Sequence, residues 1–110
     1  MPVVKVPREL WISGSAYQVR LQRGLLANSD NQGQSCGNAS LIEVDPELNT
    51  SKRTEVFLHE CVHQIGNALG WTRKAPLAEA DVIALGHGLA GLCRELGIEL
   101  DFSELAEREV

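Results

Sequence analysis

The chain has 110 residues, 44% of them hydrophobic and 23% charged, with formal net charge -5. That length implies one domain with one modest core, spanning residues 1–110. The acidic balance and the absence of any Lys/Arg run longer than two argue against nucleic acid as the main partner.

No apolar run approaches membrane-spanning length, and the Met-Pro-Val-Val-Lys start lacks the hydrophobic stretch of a signal peptide, so no membrane association is expected. The three cysteines, Cys36, Cys61 and Cys93, are odd in number and form no Cys-x-x-Cys pair. Free thiols in a reducing cytoplasm are the simplest account.

In chain order, residues 9–23 read as a hairpin. Leu10-Trp11-Ile12 is a short apolar strand, Ser13-Gly14-Ser15 is a turn, and residues 17–22 alternate with period two. Residues 28–38 are polar and Gly-rich and read as a loop, which makes Cys36 an exposed loop thiol. Residues 39–44 read as a third strand ending at Asp45-Pro46.

The next segment carries the chemistry. Asn49, Thr50 and Ser51 offer capping oxygens, and residues 52–69 contain no proline, so a helix is expected there. Within it stands His59-Glu60-Cys61-Val62-His63, a His-Glu-x-x-His pattern. Residues i and i+4 share a helix face, so the two imidazoles can reach one metal ion with Glu60 beside them. Imidazole nitrogen suits Zn²⁺, and a carboxylate next to a zinc-activated water is the general base that hydrolysis needs. Cys61, at i+2 from His59, points away and is expected in the core. The glycine at Gly66 continues the pattern as far as a metzincin would, but Leu69 stands where that family has its third histidine. The third ligand must come from elsewhere.

A second helix is expected over residues 77–96, between Pro76 and Gly97. Val82, Leu85, Leu89, Leu92 and Leu96 recur at spacings of three and four, so this stripe is expected to face the core. Gly86, Gly88 and Gly91 would allow close approach of another element. Glu79 and Asp81 flank the stripe on opposite edges, and periodicity does not choose between them as ligands. His87 falls on the face expected to be wet. In the tail, the Ile98, Leu100 and Phe102 patch is expected to pack back on the domain, and the last residues to fray.

The segments Val56-Phe57-Leu58-His59-Glu60-Cys61-Val62-His63 and Leu77-Ala78-Glu79-Ala80-Asp81-Val82, with Gly88-Leu89, resemble small phage-type and bacterial zincins of the gluzincin kind, related in plan to the ImmA/IrrE-type peptidases. The resemblance implies an α+β zincin-like core, with a three-stranded, mainly antiparallel sheet packed on two main helices. It implies Zn²⁺ held by His59, His63 and Glu79, with Asp81 as a partner to a ligating histidine or as the alternative ligand. Glu60 would be the catalytic base of a zinc metallopeptidase. A peptide or protein substrate is expected to add along residues 39–44 if that strand is a sheet edge. Tyr17, His87 and Arg94 are possible oxyanion donors. The alternative function is a non-catalytic zincin-fold protein of phage type, with a structural zinc site or a partner-binding role.

Overall fold

The computed structural model describes residues 2–25, 33–36, 40–69 and 79–108. Among the described residues, two helices pack with a five-stranded mixed sheet and a two-stranded parallel one in an α+β arrangement. The elements are β1 (Val3–Lys5), β2 (Glu9–Ile12), β3 (Ser15–Gln22), β4 (Gly33–Cys36), β5 (Leu41–Val44), α1 (Thr50–Leu69), α2 (Glu79–Glu95), β6 (Glu99–Asp101) and β7 (Glu107–Arg108).

The expected hairpin forms, with Leu10 opposite Tyr17 and Ile12 opposite Ser15. Its two-residue turn places Ser13 at φ 49° and Gly14 at φ 85°. Two successive left-handed residues match the twist of the flanking strands, and a glycine at the second position removes the steric cost.

The sheet is larger and less antiparallel than expected. Five strands run in the order β2-β3-β5-β4, with β7 also on β3, and both β3–β5 and β3–β7 are parallel. A separate parallel pair joins β1 to β6. The tail therefore reaches the main sheet: Leu21 pairs with Glu107 and Gln22 with Arg108, so the chain is ordered well beyond the Phe102 patch.

Two strand expectations need correction. Residues 33–36, within the expected loop, form β4, antiparallel to β5. They carry no apolar alternation because their side chains find polar partners instead: Gln34 Nε2 donates to Glu43 Oε1 at 2.6 Å, and Ser35 Oγ donates to Glu60 Oε1 at 2.7 Å. In addition, β5 is an interior strand with β3 on one side and β4 on the other, so residues 39–44 do not offer the edge expected for a peptide. That edge belongs to β4. Ala39 itself lies outside the described residues.

The core lies on one face of the sheet. Tyr17, Val19, Ile42 and Val44 meet Val56 and Phe57 of α1, and Val6, Phe102 and Leu105 close the cluster. Phe102 meets Phe57 edge-on at 5.7 Å, which confirms that the tail patch packs back. On the opposite face, Glu43 is buried but paired, its second oxygen accepting from Arg20 Nε at 2.7 Å. A buried carboxylate is tolerated there because both oxygens have charge-assisted or amide donors.

The orientation of α2 also differs from expectation. Its buried residues are Val82 and Gly86, while Leu85, Leu89, Leu92 and Leu96 are exposed. The helix lies on α1 with its narrow face and turns the leucine stripe outward. The reason is reach: a small-residue face lets the two helix axes come closer than leucines would permit. Among the described residues, no helix is long and apolar enough to cross a membrane.

Val82 is 2% exposed and Leu92 is 54% exposed. Truncation of Val82 to Ala should therefore cost about 2 kcal/mol, and Leu92→Ala less than about 0.5 kcal/mol. Urea unfolding of the two variants checks this; equal losses would mean that the stripe is part of the core.

Candidate metal centre

Helix α1 begins at a true cap: Asn49 Oδ1 accepts from the Lys52 amide at 2.9 Å. From there the helix carries His59, Glu60 and His63 along the boundary between its sheet-facing and α2-facing sides. Glu60 and Gln64 turn inward and are 7% and 2% exposed, whereas His59 and His63 stand at the margin. The two rings lie 4.8 Å apart at 79°, as one helical turn dictates.

The first turn of α2 brings Glu79 to these rings. Its Oε1 lies 2.9 Å from His59 Nε2 and its Oε2 lies 3.2 Å from His63 Nε2. One donor atom from each of the three side chains falls within 4.8 Å of the others. The seating depends on Gly86. A Cβ there would lie 3.0 Å from His59 Cα and 3.1 Å from its backbone nitrogen, so glycine lets α2 sit at this separation without pressing on the backbone of α1. Gly88 meets nothing within 4 Å and Gly91 meets only Arg94 at 3.9 Å, so the close approach expected of all three glycines occurs at Gly86 alone.

The donor set suits zinc. Two imidazoles and a carboxylate are ordinary zinc ligands, and donors of a tetrahedral site stand about 3.3–3.6 Å apart when each is about 2.0–2.2 Å from the ion. The His59–Glu79 and His63–Glu79 separations are already close to that spacing.

Asp81 is exposed and stands outside this group. Two residues along a helix turn the side chain by about 200°, so Asp81 points away when Glu79 points in. The three possible oxyanion donors are also elsewhere. Tyr17 is buried with its hydroxyl on Gln64, His87 is 72% exposed beside Glu55, and Arg94 is exposed in the last turn of α2.

A cleft of about 700 Å³ runs over the group between β4 and α2, lined by Gly33, Ser35, His59, Glu60, His63 and Glu79 among others. Glu60 bridges this cleft and the interior. One oxygen accepts from Ser35, and the other lies 3.7 Å from His59 Nε2. Ser35 and Gln64 were not singled out by the sequence, since a serine in a Gly-rich stretch and a glutamine after a motif carry no pattern of their own. Gly33 admits β4 to this position: a Cβ would come 2.5 Å from Val56 Cγ1.

Cys61 is partly buried, and burial first, then the Glu60 charge, pushes its thiol up to about 12. It is thus a packing residue, while Cys36 is exposed on β4. No family model matches this chain, and no curated protein or solved structure matches it either.

Two outcomes follow for the variants and the thiols. Gly86→Ala gains about 1 kcal/mol of helix propensity but presses on backbone, which costs about 1–3 kcal/mol, so the variant should be the less stable. Gly88→Ala, with open space, should gain about 0.5–1 kcal/mol. Thermal melts of both decide it. At pH 8 only about one Cys61 in ten thousand is a thiolate, so iodoacetamide followed by peptide mass mapping should label Cys36 well before Cys61.

Proposed function

We propose that this protein is a zinc-dependent metallopeptidase of the gluzincin type, with His59, His63 and Glu79 as ligands and Glu60 as general base. The observation that carries the reading is the convergence of Glu79, from a separate helix, on both motif histidines at 2.9 and 3.2 Å. Residues twenty and sixteen apart in sequence meet there, with a second carboxylate, Glu60, at the side and an open cleft above. A zinc ion held by these three side chains would acidify a water molecule and polarise the scissile carbonyl. The remaining chemistry belongs to the chain. Glu60 takes the proton of the attacking water on the oxygen that faces the cleft and delivers it to the leaving amine.

Substrate orientation follows from the sheet. β4 is an edge strand and lines the cleft, so an extended peptide adds along residues 33–36 rather than along 39–44. The three free thiols support a cytoplasmic setting.

The rival reading is a non-catalytic zincin-fold protein whose zinc is structural or whose surface binds a partner. It draws support from the outward leucines of α2, an exposed apolar face among the described residues. The exposure of Glu79, 60% at its side chain, favours catalysis, because a structural site is closed by a fourth protein ligand.

Purified protein should carry one zinc per chain by mass spectrometry. Saturating zinc at about a hundred times its dissociation constant should add about 2.7 kcal/mol of stability to the stripped protein. Glu60→Gln should keep the zinc and lose about 10²- to 10⁴-fold in turnover of a peptide library. Protein that neither holds zinc nor is stabilised by it would end the metal reading. Zinc binding with equal turnover in wild type and Glu60→Gln would leave the rival.

A further inference from the structure

Beside Glu60, running from the cleft wall at half-buried Ser35 to buried Gln64 and Tyr17, lies a chain of polar groups that peptide hydrolysis as described above does not use. Tyr17 on β3 donates its hydroxyl to Gln64 Oε1 at 3.1 Å. Gln64 Nε2 donates to Ser35 Oγ at 2.7 Å, and Ser35 donates to Glu60 Oε1 at 2.7 Å. Asn67 Nδ2 also points at Gln64 Oε1, at 3.3 Å. Among the described residues, no buried side-chain nitrogen or oxygen lacks a partner.

The chain has a direction. An amide NH₂ can only donate, so Ser35 Oγ must accept from Gln64, and its own proton is committed to Glu60. With the single proton of Ser35 on Glu60, the end of the Gln64 amide that faces Ser35 is its NH₂, and its oxygen is left to Tyr17 and Asn67. Every proton therefore points toward one carboxylate oxygen. Tying that oxygen leaves the other 3.7 Å from His59 Nε2, on a side chain that lines the cleft where an attacking water would lie. Three elements, β3, α1 and β4, contribute to the chain, so the rotamer of Glu60 is set by the tertiary fold and not by α1 alone. Apolar residues at Tyr17, Ser35 and Gln64 would satisfy packing with no polar groups to desolvate. The polar choice has a use if Glu60 must be held in place.

We propose that Ser35, braced by Gln64 and Tyr17, is a positioning residue: it holds Glu60 in the one orientation in which its free oxygen meets the attacking water. The inference rests on the peptidase reading for its kinetic consequence but not for its structural one. Hydrogen bonds of this kind act on the rate through alignment, where displacements near 1 Å cost about 10²-fold. Their loss leaves the ligands His59, His63 and Glu79 untouched.

The test uses full-length wild type, Ser35→Ala, Ser35→Thr and Tyr17→Phe, each loaded with zinc and checked for fold by melting temperature. Zinc affinity, measured by chelator competition, should agree within about two-fold across the set, and kcat should fall about 10- to 100-fold in Ser35→Ala with little change in KM. Ser35→Thr, which keeps the hydroxyl, should recover most of kcat, and Tyr17→Phe, one bond further back, should lose less than Ser35→Ala. In parallel, ¹³C relaxation of the Glu60 side chain should show one rigid rotamer in wild type and Ser35→Thr and rotamer averaging in Ser35→Ala. A rigid Glu60 in Ser35→Ala, or wild-type kcat in that variant, overturns the proposal. If wild type binds zinc yet cleaves no peptide, the peptidase reading fails and the Glu60 relaxation alone decides the positioning role. Should Ser35→Ala not fold, Tyr17→Phe against wild type carries the same two readouts.

Discussion

The seating of α2 on the backbone of α1 at Gly86 governs the rest of this structure. Helix faces repeat every three to four residues, so once Gly86 lies against His59, Val82 is carried into the interface and Glu79 arrives on the same side. A Cβ at that level would press on the His59 backbone, and the helices would have to give by a few tenths of an ångström. The same contact explains an otherwise costly feature, a helix that shows three leucines to solvent, with Leu96 just past its end. Turning those leucines inward would bury more apolar surface, about 25 cal/mol for each Å², but it would rotate Glu79 away from the histidines.

Glu60 stands where two environments meet. On one side, the hydroxyl of Ser35 and, through it, the amide of Gln64 connect it to the sheet. On the other, it lies beside His59 in the cleft shared with His63 and Glu79. One helix thus joins a hydrogen-bonded polar wall to an open, charge-rich margin, and Gly33 lets the edge strand come close to both. Each glycine that matters here does so because an element on the other side leaves no room for a Cβ. The remaining α2 glycines do not share that role.

The motif was legible because it is local. An i, i+4 pair on a helix, with a cap at Asn49, is fixed by one segment's own geometry. The hairpin at residues 9–23 was legible for the same reason, since a two-residue turn and period-two alternation need no distant partner. β4 was not, because its side chains are polar and their partners, Glu43 and Glu60, lie on other elements. The face of α2 was misjudged because hydrophobic periodicity reports which residues are apolar, not which side is close to a neighbour. Val82 belongs to the leucine stripe by spacing and to the interface by position.

By itself, the amino-acid sequence determined an α+β chain with two helices, two imidazoles on one helix face, and two carboxylates at the start of the next helix. Only the tertiary structure decided that Glu79 and not Asp81 meets the histidines, that β4 and not β5 is the edge, and that Ser35 holds Glu60. The division is physical. Local geometry follows from bonds and steric limits within a few residues, whereas the rotation of one helix against another is set by the side-chain volumes at their contact, here by the missing Cβ of a single glycine.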